Sequence, residues 1–224
     1  MTEVVCVIMA TIWKQFKQIL ITAAFLLVIV PVIAQVKPQP PAPVKHHPSS
    51  NQLKDFFHLA AQANATFMYP KGFREIEAPN NEDFSFDYAL ELPGRNFEVW
   101  YQVKPEKTEW FNYTRTQFNK DGQMANPDSI YLQKGTEYIL SFTGDKKCFE
   151  KTLPPEVLAR YHADAGKSYL LTLLDFPPKH YKYALLMTLQ KNHLATVSMI
   201  CFTNEKGPEF YKNVNRATNS IRFK

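Results

Sequence analysis

No apolar run in this sequence reaches the roughly 20 residues that a membrane-spanning helix requires. The uncharged apolar run from Ile19 to Ile33 stops short of that length. Catalytic signatures are missing too. There is no Gly-x-Ser-x-Gly elbow and no His-Glu-x-x-His pair, so the familiar hydrolase and zinc-protease routes lack their marks. Gly166-Lys167-Ser168 is the nearest approach to a phosphate-binding loop. Tyr161 stands where that loop needs a glycine to wrap its backbone amides around phosphate. The chain has only three cysteines, too few for a disulfide-built scaffold.

Charge of one sign is not concentrated anywhere. The formal net charge is +5, and basic and acidic residues alternate, apart from small clusters such as Lys146, Lys147 and Lys151. A nucleic-acid binder shows a basic stripe or a recognisable module. Neither is visible, so no nucleic-acid partner is expected. Outside the amino-terminal fifty residues the histidines are His58, His162, His180 and His193. Their spacing converges on no metal, so neither a metal nor a cofactor is expected. Glu156, His162 and Asp164 could share a polar site, but solvated residues at a helix end explain them better. No internal repeat is present.

What the amino end does contain is an export pattern. Lys14 and Lys17 precede the apolar run, Pro31 breaks it, and Val32 and Ala34 are small enough for the −3 and −1 positions of a signal-peptidase site. Residues 1–34 are therefore read as a signal peptide, with Met9 a better start than Met1. Removing them discards Lys14, Lys17 and Glu3 and leaves +4. An uncleaved anchor is the alternative, because Val4 to Trp13 is also apolar. Residues 35–50 carry Pro38, Pro40, Pro41, Pro43 and Pro48 and read as an extended tether. His46 and His47 within it are taken as incidental. The expected location is periplasmic or extracellular.

Residues 51–224 then read as one α+β domain. Leu53, Phe56, Phe57, Ala60 and Ala63 share helical spacing, with Asn51 as the cap. Thr66 to Glu77 reads as a strand interrupted by Pro70-Lys71-Gly72. Phe84 to Leu92 and Phe97 to Val103 alternate around Pro93-Gly94-Arg95-Asn96, a hairpin. A second hairpin spans Tyr181 to Thr203 and turns at Lys191-Asn192-His193. Trp110 to Phe118 is expected to be helical and Tyr131 to Phe142 to contain strand. Pro154-Pro155-Glu156 opens a helix through His162. Pro208 opens another, with Phe210, Val214, Ala217 and Ile221 on one face. The expected architecture is an antiparallel sheet of about six strands flanked by helices.

Phe67-Met68-Tyr69-Pro70-Lys71-Gly72-Phe73 resembles the opening strand of PsbP-like proteins. The following hairpin and the closing Ala217-x-x-Ser220-Ile221-x-Phe223 are similar in order. The resemblance covers roughly Asn64 to Phe223. It implies helices on both faces of an antiparallel sheet and a binding or accessory role with an unknown partner. It transfers no site residue.

Two residue-level expectations follow. Trp100, on the Glu98–Gln102 face of its strand, is the candidate contact for a partner or glycan, set against burial under a helix, which two covered faces favour. Cys148 and Cys201 remain after cleavage, and in an oxidising compartment an even pair invites a disulfide. A small buried thiol at Cys201, beside Val197 and Met199, is the alternative. Asn64 and Asn112 begin glycosylation sequons, relevant only in a eukaryotic source. The leading reading is a non-enzymatic binding or accessory protein, and the competing one is an exported enzyme, such as a hydrolase, whose site is dispersed through the fold.

Overall fold

The computed structural model describes residues 50–81, 85–117, 124–145, 147–174 and 179–224. The segments read as a signal peptide and a tether, up to residue 49, and Phe84, Phe118 and Lys146 lie outside them.

Helix α1 (Asn51–Gln62) is capped by Ser50, not Asn51. The Ser50 hydroxyl accepts from the Leu53 amide at 3.1 Å, which makes Asn51 the first helical residue. Phe56, Ala60 and Ala63 turn inward, whereas Phe57 is 43% exposed because one residue swings it 100° around the helix. Strand β1 (Ala65–Phe67) pairs antiparallel with the final strand β9 (Ile221–Phe223), so the two ends of the domain clasp each other. The Pro70–Gly72 turn, with Gly72 at φ +85°, does not merely interrupt one strand. It carries the chain into a different sheet at β2 (Arg74–Ile76).

That main sheet has seven strands in the order β2-β3-β4-β8-β7-β6-β5, all antiparallel. The first predicted hairpin joins β3 (Tyr88–Glu91) to β4 (Phe97–Pro105), with Leu90 opposite Val99. The second joins β7 (Tyr183–Lys191) to β8 (Ala195–Thr203). The short strand β5 (Phe149–Thr152) forms one edge beside β6 (Ala165–Thr172). Neither strand is announced by a clean alternation. Gly166-Lys167-Ser168 lies inside β6, where it pairs with Leu189, Thr188 and Met187. That places it in a ladder and not in a loop before a helix.

Both faces of the sheet are covered, and β8 is buried along its whole length. On one face Phe56 stacks on Tyr88 at 4.9 Å and meets Phe67 edge-on at 5.0 Å. Val99, Tyr101, Met199 and Cys201 join them there, with Phe210, Val214 and Ala217 of helix α5 (Pro208–Thr218). Ile221 reaches the same core from β9, after the helix has ended. Burying each of these large side chains stabilises the fold by about 1.5–3 kcal/mol.

The opposite face is covered by helix α3 (Ile130–Thr143), where strand was expected from Tyr131 to Phe142. Aromatic and β-branched content suggested strand, but Gly135, Tyr138, Ile139 and Phe142 are the buried positions and their spacing is helical. Gly135 is required there, since a Cβ would stand 2.6 Å from the Tyr169 hydroxyl oxygen. Gly144 ends the helix at φ +66° and returns its amide to Leu140 at 2.8 Å. Helix α4 (Pro155–Tyr161) matches its prediction and ends at His162 in the left-handed conformation. Helix α2 (Lys107–Thr116) buries no residue fully. A 3₁₀ turn (Pro127–Ser129) precedes α3. Among the described residues no helix is long and apolar enough to cross a membrane.

Candidate functional site

The residues singled out in the sequence do not assemble into a site. Trp100 is 6% exposed beneath α3, with Phe202 at 4.2 Å and Phe86 at 5.4 Å between ring centroids. Its indole N–H donates to Glu98 Oε2 at 3.0 Å. The face opposite Phe97, Val99 and Tyr101 is an inner face, so Trp100 presents no contact surface.

Cys148 and Cys201 are both free thiols. Cys201 belongs to the core under α1 and α5, whereas Cys148 packs against the core under α3. The sheet stands between them, beyond the reach of a disulfide. Burial pushes the Cys201 thiol well up, and burial with the nearby Glu150 carboxylate raises Cys148. Neither environment activates a nucleophile.

Asp164 is taken by the second hairpin: it accepts from Lys191 Nζ and from the Asn192 amide, both at 2.9 Å. No hydrogen bond joins it to Glu156 or His162 among the described residues. Those residues also contain no group of three His, Cys, Asp or Glu side chains placed to hold a metal.

Buried polar chemistry is instead found at the two ends of β4. At its start Glu98, 3% exposed, stands opposite Glu91 of β3. Two like charges across a ladder repel, and Lys179 lies between them. It donates to Glu91 at 2.9 Å and also to Glu98, while Arg74 binds Glu91 from β2. The hydrogen bonds from Lys179 and then Arg74 hold the Glu91 carboxyl below its ordinary range. Burial pulls the Lys179 ammonium down, but its bonds to Glu98 and Glu91 outweigh that and raise it overall.

At the other end, one residue past β4, the Glu106 side chain is completely buried. Its amide donates to Leu194 O at 2.8 Å, and its carbonyl accepts the Trp110 amide at 2.8 Å. The carboxyl group meets two side chains that face each other across the second hairpin, Gln190 and Thr196. Gln190 Nε2 lies 3.0 Å from Glu106 Oε2, Thr196 Oγ1 2.7 Å from Glu106 Oε1, and Thr196 Oγ1 2.6 Å from Gln190 Oε1. Burial pushes the Glu106 carboxyl above its ordinary range. The bonds from Gln190 and Thr196 and the Lys104 charge pull the other way, and Asp128 adds to the rise.

A pair made of an exposed histidine and a largely covered aspartate sits over this network. The His193 amide donates to Asp128 Oδ1 at 2.7 Å, and His193 Nε2 lies 3.3 Å from Asp128 Oδ2. Asp128 is itself fixed, its amide donating to Asn126 Oδ1 at 3.0 Å. The imidazole stacks on the Trp110 indole at 3.9 Å and 23°. His193 adopts φ +63°, in the left-handed region that residues other than glycine enter infrequently and His, Asn and Asp more often than the rest. The histidine is thus held through its backbone and through both ring contacts while 56% of its side chain stays in solvent.

Glu106, Asp128, Gln190 and Thr196 were not singled out from the sequence, and His193 was noted only as part of a turn and among histidines whose spacing converges on no metal. A partial signal was present. The turn occupies residues 192–194, one residue later than the turn read from the sequence, and that register makes Gln190 and Thr196 cross-strand partners, with Thr188 and Ser198 as a second polar pair on the same hairpin. Nothing local tied Glu106 or Asp128 to that pair. No family model matches the chain, and no curated protein was found to be similar to it.

Proposed function

We propose that this chain is an exported binding or accessory protein, and that the Trp110–His193 pair at the end of the second hairpin forms part of its contact surface. One observation carries the reading: an exposed imidazole fixed at backbone and ring and stacked on an indole. Surface side chains ordinarily keep their rotamer freedom, and ordering one before contact lowers the entropy lost on binding. Tryptophan is also among the residue types that dominate contact energies. The resemblance of the Phe67–Phe73 segment to PsbP-like proteins and the signal-like amino end support the same reading.

The experiment is affinity capture from the native envelope or medium, with wild-type bait beside the double variant Trp110→Ala, His193→Gly. A partner retained by wild type and lost by the equally stable variant is the expected result. Identical capture by both would remove this surface from consideration.

The Asp128–His193 pair favours one second reading. A carboxylate that orients an imidazole is the base half of many hydrolytic sites. No serine, cysteine or threonine side chain is hydrogen-bonded to His193 among the described residues, so the nucleophile half is not assembled. A hydrolytic activity lost in Asp128→Asn at unchanged stability would establish this reading over the first.

A further inference from the structure

We propose that Glu106 is a neutral carboxylic acid in the folded protein at neutral pH, and that its proton fastens helix α2 to the second hairpin. The argument is a count of hydrogens. Glu106, Thr196 and Gln190 form a closed ring of three contacts at 2.7, 2.6 and 3.0 Å. Each contact is between electronegative atoms and needs one hydrogen. The Thr196 hydroxyl supplies one. The Gln190 amide touches the ring through one nitrogen and one oxygen, so it supplies one.

Exchanging that nitrogen and oxygen moves the shortfall from Thr196 to Gln190 but does not remove it. Two hydrogens are available for three contacts, and the third must come from the Glu106 carboxyl. As an anion, Glu106 would leave two oxygen lone pairs facing each other at hydrogen-bond distance in a site closed to water. The raised titration range from burial agrees with this count.

Among the described residues, the charged groups around the ring do not supply a counter-ion at contact. Lys104 of β4 and Asp128 act on Glu106 in opposite directions. Lys107 and Glu109 of α2 make no hydrogen bond to it among the described residues. Lys191 is engaged with Asp164, and His193 with Asp128. None of these places a cation on the carboxyl group, unlike Lys179 at the opposite end.

Both rings of the proposed contact surface depend on this residue. Trp110 hangs from the Glu106 carbonyl, and Leu194, next to His193, holds the Glu106 amide. Deprotonation opens one side of the ring and loosens α2 from the hairpin. This last consequence, a surface set by pH, rests on the binding reading; the proton itself does not.

Glu106→Gln is the direct test, because a glutamine supplies the missing hydrogen from its own amide and closes the ring at every pH. Folded-state protonation above the ordinary carboxylate value of 4.5 means stability is fully present below that value and is lost as pH rises through the raised one. Relative to E106Q, the folded-to-unfolded ratio of the full wild-type chain is expected to fall about tenfold per pH unit across that window, then level off. Contributions from His193 are common to both proteins and cancel.

With ¹³C-labelled glutamate, the wild type at neutral pH should also show the infrared carbonyl band of a protonated acid that E106Q lacks. Faster exchange of the Trp110 amide in wild type than in E106Q on the alkaline side would register the loosening of α2. A wild-type/E106Q difference that is flat or grows with pH, an unchanged infrared band, or an E106Q chain that cannot fold would each overturn the proposal. The band is read with no partner present, so its failure is distinct from a failure of the capture experiment.

Discussion

Two glutamates bracket β4, and both are removed from water, yet the protein satisfies them in opposite ways. Glu98 stands opposite a second carboxylate and is given a lysine and an indole N–H. Glu106 is given an amide and a hydroxyl, with no cation in contact among the described residues. A buried carboxyl group can be kept as a paired anion or as a neutral acid, and its partners decide which. The consequence is an opposed pH response at the two ends of one strand. The Glu106 end weakens as pH rises through its raised value, and the Glu91–Lys179 end weakens as pH falls through the lowered value of Glu91.

The largest effect is expected at the charged end. Glu98→Ala removes the acceptor of the buried Trp100 indole and leaves a gap beside Phe202. An unsatisfied buried donor and the lost packing together cost about 3 kcal/mol. Lys179 adds little to this, since its side chain is 45% exposed and turns to water. A denaturant midpoint measured for the full chain checks it. A loss under about 1 kcal/mol would show that the indole finds another acceptor, and the contrast between the two ends would shrink.

At the neutral end Thr196→Val keeps shape and removes the hydroxyl. It leaves the Glu106 proton and the Gln190 oxygen without their shared partner, a cost of about 2 kcal/mol. The same substitution in an E106Q background is expected to cost a similar amount, because both rings are closed by three hydrogens. A Thr196→Val loss that disappears in E106Q would mean that the hydroxyl served an anion, reversing the assignment of this end.

How far this contrast could be read in the sequence depends on whether its determinants were local. Alternation from Phe97 to Val103 and the turn at Pro93–Asn96 identified β4 and its partner because both signals lie within a dozen residues. The helices opened by Pro155 and Pro208 were legible for the same reason. The seven-strand order was not, because β4 pairs with β8 from almost a hundred residues away, and only that pairing brings Glu106 to Gln190 and Thr196. Strand was expected where α3 lies because side-chain type was weighted above the spacing of Gly135, Tyr138, Ile139 and Phe142. Trp100 drew attention as an isolated aromatic on a polar-looking face. Glu98 and Gln102 put polar side chains on that face, but two covered faces favoured burial, and Glu98 is the indole's own buried acceptor while Gln102 takes the Tyr138 hydroxyl at 2.6 Å.

The smallest effect sharpens the comparison most. Lys179→Met at neutral pH should cost about 1 kcal/mol or less, as expected for a half-exposed lysine bridging two carboxylates. Its signature lies in acid. In wild type the Glu91 carboxyl is held low, first by Lys179 and then by Arg74, so that stabilisation is present above the ordinary carboxylate value and disappears as pH falls through the lowered one. Without Lys179 only Arg74 remains to hold it, and the acid limb of the stability curve should flatten while the limb set by Glu106 stays unchanged. If Lys179→Met altered both limbs, the two ends of β4 would be coupled through the strand, and Glu98 and Glu106 could no longer be treated as separate solutions to the burial of a carboxyl group.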